Sequence, residues 1–296
     1  MKYVITGGAG HTSKPIVLSL LQAGQQVTVI GRNASHLEEL FENGAKVAIG
    51  SVEDLDFLKK TFAGADAVYT LIPPNLGVKD WKESIHQIGK NYAEAIRANN
   101  VKYVVNLSSL GGHMAEGAGP VSGLHRAEEV LNVLTDVNIL HLRPGYFYEN
   151  LYGNLGMIKN SNIIGSNYGP DLNMVLSAPL DIAAVAAEEL LLLNFKGHTV
   201  RHIASDERPA KEIAKILGHA IGKPDLPWVE FTDEQSTTGM IQAGLPLEIA
   251  KNYTEMGSAL RSGKMSEEYW KHHPDSLGKT KLEDFAKSFA SAYNAN

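Results

Sequence analysis

The chain has 296 residues, of which 44 % are hydrophobic and 20 % charged, the balance of a globular protein with a substantial core. A formal net charge of −6, without a basic run or an interleaved aromatic patch, gives no electrostatic case for binding nucleic acid. Cysteine is absent, which excludes disulfides, thiol nucleophiles and zinc–thiolate sites, and no apolar run reaches the ~18 residues of a membrane span.

The first strand is expected at 3–6, so near the start of the chain that a signal peptide has no room, and the cytoplasm is the expected location. That strand runs into a turn carrying Gly7, Gly8, Gly10, His11, Thr12 and Ser13, and an apolar helical stretch follows. This order suits a dinucleotide. Glycines let the backbone approach a pyrophosphate, whose charge then meets the free N–H groups and positive dipole end of the next helix. The spacing departs from G-x-G-x-x-G: Gly7, Gly10 and Ser13 occupy a G-x-x-G-x-x-G pattern, with serine where a third glycine would allow close helix–strand packing. His11 and Thr12 are placed as phosphate donors or, equally, as helix caps.

Strands then follow over 26–30, 46–50, 67–72, 101–107 and 138–143, with helices near 36–43, 54–62, 81–99 and 124–134 between them. Regular β-α-β alternation with right-handed crossovers predicts an α/β, doubly wound parallel sheet of Rossmann-like type. The second half is less regular. Residues 151–175, rich in Asn, Gly and Tyr, suit loops and pocket walls, followed by a buried helix over 182–193, a strand over 199–204 and a helix over 209–221. Beyond residue 223, polar helices and loops carry Trp228, Tyr253 and Trp270 as isolated anchors. The expected division is a dinucleotide-binding domain over 1–150, completed by about 176–205, and a smaller C-terminal substrate lobe from 151–175 and 206–296.

The second strand ends Ile30-Gly31-Arg32-Asn33, where NAD sites carry an acid for the ribose hydroxyls. Arginine suits a 2′-phosphate instead, so NADP(H) is the expected cofactor, with Arg32 and Asn33 as the discriminating contacts. The bland alternative for Arg32 is a solvated surface residue. Ser51, after the third strand, would border the adenine. Ile72 and Pro73 would lie near the ribose and nicotinamide, with Pro74 on the substrate side, although a plain turn also explains the prolines. Ser108 and Ser109 follow the fifth strand on the ligand rim, where one would hold the nicotinamide or a substrate oxygen and simple turn capping is the rival reading. Tyr146, Phe147, Tyr148 and Asn150 follow the sixth strand and suit a flat ring substrate, with Phe147 the expected core member. His272-His273 precedes Pro274, and no metal site is expected there.

Taken together, T-G-G-A-G-H-T-S at 6–13, G-R-N at 31–33, A-G-A-D-A-V at 63–68, S-S-L-G-G at 108–112, H-R-A-E at 125–128, R-P-G-Y-F-Y-E-N-L at 143–151, P-L-D-I-A at 179–183 and A-G-L-P at 243–246 resemble the NmrA-like, atypical short-chain dehydrogenase/reductase family. The resemblance implies NADP(H) binding, in some members as sensing without chemistry. Enzymatic members reduce quinones, dyes or related electrophiles, and others resemble benzylic ether reductases of plant phenolics. One departure matters. Where the wider superfamily carries Tyr-x-x-x-Lys, this chain has Val121 and His125. Valine cannot transfer a proton, so ordinary alcohol–ketone interconversion is not expected.

The reading that follows is an NADPH-dependent reductase passing hydride to a quinone-like or other planar electrophilic small molecule. His125 would assist catalysis or contact the ribose, and Ser109 and Asn150 would orient the substrate, with Tyr146 and Phe147 as walls. The alternative is a catalytically silent NADP(H)-responsive regulator that binds a protein partner. A sugar-nucleotide epimerase is disfavoured by the same missing pair. A monomer or homodimer without nucleic-acid or membrane partners is expected.

Overall fold

Strand residues alternate between two apolar faces, which is why the central sheet is covered on both sides. In β1 (Lys2–Ile5), Tyr3 and Ile5 point into one hydrophobic cluster and Val4 into another. The computed structural model describes residues 1–295. After β1 come α1 (Ser13–Gln22), β2 (Gln26–Gly31), α2 (Glu38–Glu42), β3 (Lys46–Ile49), α3 (Leu55–Thr61), β4 (Ala67–Leu71) and α4 (Trp81–Ala98). Then follow β5 (Tyr103–Leu107), α5 (Pro120–Asn132), β6 (Asn138–Pro144) and β7 (Tyr146–Phe147). Pro120 at the start of α5 fits the first helical turn, where its missing N–H is unneeded, and α5 opens four residues before the expected 124.

The second half contains α6 (Leu155–Ser161), β8 (Ile164–Ser166), β9 (Asn173–Ser177), α7 (Pro179–Leu192), β10 (His198–Ile203), β11 (Asp206–Pro209) and α8 (Ala210–Ala220). It ends with β12 (Trp228–Glu230), α9 (Asp233–Gln242), α10 (Leu247–Arg261), α11 (Glu267–Lys271) and α12 (Leu282–Ala295). The seven-stranded sheet has the order β10-β6-β5-β4-β1-β2-β3, and every pair in it is parallel. This is the doubly wound order, extended by β10. Ile16, Val17 and Leu20 of α1 join Ile182, Ala186 and Leu190 of α7 on one face. Leu58, Ile88, Tyr92, Ile96 and Leu131, from α3, α4 and α5, cover the other.

Segment 151–175 is not the loop expected. It holds a 3-10 turn (Tyr148–Asn154), α6, β8 and the start of β9. β9 pairs antiparallel with β11 and parallel with β7, while β8 pairs with β12. These elements run for three to seven residues, too short to show a period, and their partners are remote in sequence. Ile158, Ile164 and Met174 are buried with Tyr148, Leu217 and Phe289 in a separate lobe core. The aromatic anchors are not isolated either. Trp228 stacks on Tyr168 with ring centroids 5.5 Å apart, Tyr253 meets Trp81 edge-on at 5.3 Å, and Trp270 packs against Tyr269 at 5.0 Å.

Candidate active site

Because all seven strands run parallel, the segments leaving their carboxyl ends share one edge. Strand order places Ser51, Arg32, the glycine turn, Ile72, Ser108 and Tyr146 across it in that succession.

Gly7 has φ +82°, and a Cβ there would lie 2.7 Å from Ser13 Oγ. Ser13 is fully buried beneath the turn, in the packing place of a third glycine. The Gly10 N–H donates to the Gly7 carbonyl at 2.9 Å and Lys14 N–H to Gly10 O at 3.0 Å, whereas the N–H groups of His11, Thr12 and Ser13 donate to none of the described residues. No side chain caps α1, and its first turn carries no acid. The positive end of this helix is therefore open to an anion. Thr12 is buried beside the Tyr69 hydroxyl, while His11 and Gly10 are exposed.

At the end of β2, Arg32 is exposed and forms no ion pair among the described residues. The Asn33 side-chain oxygen accepts from Ser35 N–H at 3.0 Å and Ser35 Oγ at 2.9 Å, so it shapes the turn. The next carboxylates are Glu38 and Glu39, and Glu39 is held by Lys14 at 2.6 Å. Ser51 Oγ accepts from Glu53 N–H at 3.2 Å. Ile72 and Pro73 are half-buried and Pro74 exposed. A tight glycine turn with Gly10 exposed, an uncapped helix terminus and an unpaired guanidinium together fit a dinucleotide with a 2′-phosphate.

Ser108 is buried, and its Oγ has no hydrogen-bond partner among the described residues. Ser109 is half-buried, its hydroxyl donating to Leu110 O at 3.1 Å. Beneath this loop Arg143 grips Glu128 with Nε–Oε1 at 3.0 Å and Nη2–Oε2 at 2.5 Å, both side chains at most 10 % exposed. A Cβ at Gly112 would lie 2.6 Å from Glu128 Oε1, so the pair moulds the loop directly. Both residues fall inside quoted motifs, yet only the fold reveals that they meet.

Val121 is buried among apolar lobe residues. His125 Nδ1 donates to the Gly112 carbonyl at 2.9 Å, and its Nε2 lies 3.6 Å from Glu129 Oε1. Tyr146 and Phe147 are half-buried; they point to opposite faces, Tyr146 to the lobe core and Phe147 to the sheet core. The fully buried member of this aromatic run is Tyr148 rather than Phe147. It faces the lobe like Tyr146, donates to Thr280 O at 3.1 Å and packs on Phe285 at 5.4 Å. Asn150 is exposed, and among the described residues none bonds to its side chain. Glu149, which sequence reasoning passed over, has a buried Oε2 without a partner. Burial raises its carboxyl above the usual range against the pull of nearby His11. His273 pairs with Glu207 at 2.6 Å and His272 with Glu268 at 3.6 Å. No helix among the described residues is long and apolar enough to cross a membrane.

A family profile described as NAD(P)H-binding matches residues 7–162, more than half of the chain. Among solved structures, the Citrobacter sp. triphenylmethane reductase complexed with NADP(H) has 20 % identity and a TM-score of 0.78, over 97 % of this chain and 99 % of that one. The NADPH-dependent quinone oxidoreductase of Escherichia coli complexed with NADPH has 18 % identity and a TM-score of 0.76, over 97 % and 99 %. A nucleoside-diphosphate-sugar epimerase from Staphylococcus aureus has 15 % identity and a TM-score of 0.78, over 97 % and 100 %. At these identities the likeness shows a shared fold, common to reductases and an epimerase alike. With the glycine cradle and the family match together, the chain is a member of the NAD(P)H-binding family, as its resemblance to the NmrA-like proteins implies.

Proposed function

We propose that this protein is an NADPH-dependent reductase acting in the cytoplasm on a planar, electron-poor small molecule such as a quinone. The observation that carries the reading is a half-buried aromatic ring, Tyr146, beside the nucleotide edge, together with buried Val121 where the family resemblance puts the usual proton donor; Phe147, expected as a second wall, packs on the sheet core instead. The bound nicotinamide supplies hydride, and the protein supplies orientation and electrostatics. A quinone accepts hydride without an enzymatic acid because water protonates its product, so the loss of tyrosine at 121 is compatible with turnover. The same loss disfavours epimerisation.

In this reading Gly7, Gly10, His11 and Ser13 hold the pyrophosphate side, with Thr12 supporting the turn from beneath. Arg32 and Asn33 take the 2′-phosphate, Ser51 borders the adenine, and Ile72, Pro73 and Ser108 line the nicotinamide half. Pro74, Ser109 and Asn150 meet the substrate. Residues 1–150, completed by about 176–205, form the dinucleotide domain, and the remainder forms the substrate lobe. His125 acts through the Gly112 loop that it holds. Two of the structural neighbours, a quinone oxidoreductase and a triphenylmethane reductase, support this choice of acceptors.

The test is NADPH oxidation against quinones, dyes and aldehydes, with NADH in parallel. Turnover of a quinone with NADPH above background supports the reading. Tight NADPH binding without oxidation by any acceptor overturns it, in favour of a silent NADP(H)-responsive regulator.

A further inference from the structure

We propose that the hairpin of α9 and α10 is a lid over the substrate end of the ligand edge, and that the indole N–H of Trp81 beneath it binds a carbonyl oxygen of the flat ring it admits. This rests on the reductase reading above and names the group by which the substrate is held.

Direct contacts put α10 on that edge. Helices that follow parallel strands begin at the strands' carboxyl ends, and Trp81 is the first residue of α4. Its backbone N–H donates to Glu248 Oε1 at 3.2 Å, and Lys82 Nζ reaches Glu255 at 2.8 Å. Just before α5, Gly119 runs so close to α10 that the Asn252 carbonyl leaves no room for a Cβ. The α10 helix therefore lies across the first turns of α4 and α5. Trp81 packs in one apolar cluster with Ile72, from the end of β4, and with Val78, Leu245, Ile249 and Tyr253. Its ring meets Tyr253 edge-on at 5.3 Å.

Trp81 is 4 % exposed, and its Nε1 is buried without a hydrogen-bond partner among the described residues. Buried indole N–H groups ordinarily find an acceptor. Trp228 donates its own to Tyr168 O at 3.0 Å, and Trp270 lies at the surface. The roof over Trp81 is also lightly held. No residue of α9 is buried, and the side-chain bonds that fix it come from its first half. There Asp233 meets Arg261 at 2.9 Å, Ser258 Oγ at 2.9 Å and Asn167 Nδ2 at 2.8 Å, and Thr237 meets Thr254 at 2.8 Å. The far half and the turn beyond it carry exposed Ile241 and Leu247, Gly244 at φ +94°, and Leu245 half-buried in the Trp81 cluster. A helix fixed at one end by polar bonds, with an apolar tip over an unsatisfied donor, opens locally at lower cost than the core.

The chemistry under the hairpin selects its guest. An indole N–H only donates, so the ligand must bring an acceptor. Ile72, Val78, Leu245 and Ile249 around it are aliphatic and suit the faces of a flat ring. The nearest carboxylates are already engaged, Glu255 by Lys82 and Glu248 by Asn252 at 2.9 Å as well as by the Trp81 backbone. They leave little attraction for a cation. A neutral ring with a carbonyl oxygen satisfies both the donor and its apolar surroundings, and Ile72 joins this cluster to the nicotinamide half.

Hydrogen exchange of the parent is followed with NADP⁺ alone and with NADP⁺ plus a naphthoquinone, a pair that cannot react because neither carries hydride. Amides of residues 238–247 are expected to slow by at least about tenfold only when both are present. Trp81→Phe keeps an aromatic ring and removes the donor, while Leu245→Ala thins the tip. Circular dichroism and the NADPH-dependent thermal shift report folding and nucleotide binding for each. Trp81→Phe is expected to raise the quinone KM by about 3–10-fold, the loss of one neutral hydrogen bond, with kcat and NADPH affinity little changed. Leu245→Ala should raise the same KM. An unaltered quinone KM in folded Trp81→Phe overturns the proposal, as does unchanged exchange at 238–247 with both ligands present. Should Trp81→Phe fail to fold, an unaltered KM in Leu245→Ala overturns it equally. Protection of the hairpin without NADPH oxidation by any acceptor keeps the lid and overturns the reductase reading, which separates the two failures.

Discussion

The two ends of the ligand edge recognise by opposite means. At the glycine turn the donors are unpartnered backbone N–H groups and the exposed, unpaired Arg32 guanidinium. The β7 end instead presents uncharged aromatic side chains, Tyr146 half-buried and Tyr148 buried. The glycine end is also largely local: residues 7–13 build the turn, and Arg32 joins it from the next strand. The β7 end packs on residues of β9, α8 and α12, so it exists only when those remote elements are folded against it. Charge and salt should govern the first end, while shape and desolvation govern the second.

The sharpest way to break this contrast is to remove the first end alone. Gly10 is exposed and lacks the left-handed φ of Gly7, so Gly10→Val should fold normally. Its Cβ would stand 3.0 Å from the Gly7 carbonyl, and the branches beyond would occupy the approach to the free N–H groups. Loss of two charge-assisted bonds at about 2 kcal/mol each corresponds to roughly 10³-fold in NADPH affinity. Calorimetry together with circular dichroism checks this. A preserved NADPH thermal shift would place the phosphates elsewhere.

Acid should act on the other side of the sheet. Thr70 Oγ1 donates to Asn106 Oδ1 at 2.8 Å, Asn106 Nδ2 to His141 Nδ1 at 3.0 Å, and His141 Nε2 to Asn132 Oδ1 at 3.0 Å. This buried chain crosses β4, β5 and β6. Burial pushes His141 down to about 4, and His202 on the neighbouring β10 likewise to about 4. In both cases the unfolded chain takes up the proton first. Stability is therefore full above about pH 6.5 and is lost as pH falls towards 4, by about 3 kcal/mol for His141 alone. Urea unfolding at pH 7 and pH 4.5 should show the loss, and His141→Gln should flatten it. An unchanged pH slope in that variant would remove His141 from the account.

The same contrast explains what was legible in the chain. Gly7, Gly10, Ser13 and Arg32 stand beside strands with clear alternation, and local pattern sufficed to place them on one edge. The sheet itself was readable because each strand in the first half is continuous and each crossover long enough for a helix. Tyr253 was visible only as an aromatic residue in a polar stretch, since its meaning depends on Trp81, far away in sequence. Phe147 packs on the sheet core as expected, but Tyr148, expected beside a ring substrate, is fully buried on Phe285, a residue so remote in sequence that no local pattern could show it. Glu128 and Arg143 stood in quoted motifs, but their ion pair is a tertiary fact.

Selectivity at the glycine end should respond to one side chain. Arg32→Ala is expected to weaken NADPH binding by roughly 10–100-fold, as one charge-assisted bond contributes about 1.5–3 kcal/mol. NADH affinity should hardly move, because NADH lacks the 2′-phosphate. Fluorescence titration of both nucleotides decides it. Equal affinity of the parent for NADPH and NADH would sink the assignment.

The smallest effect should come from His125, which lies between the two ends. Its Nδ1 proton is committed to the Gly112 carbonyl, so that nitrogen cannot act as a base, and Nε2 faces Glu129. A group so engaged holds the Ser108–Gly112 loop in place and does not serve as an essential acid, whose removal would cost about 10²–10⁴-fold. His125→Ala should therefore lower quinone turnover by less than about tenfold. Asparagine places an amide N–H near the position of histidine Nδ1, so His125→Asn should recover most of the loss while abolishing any imidazole titration. Recovery by asparagine would mark His125 as a positioning residue. A drop of 10²-fold or more in both variants would instead make the imidazole a proton carrier.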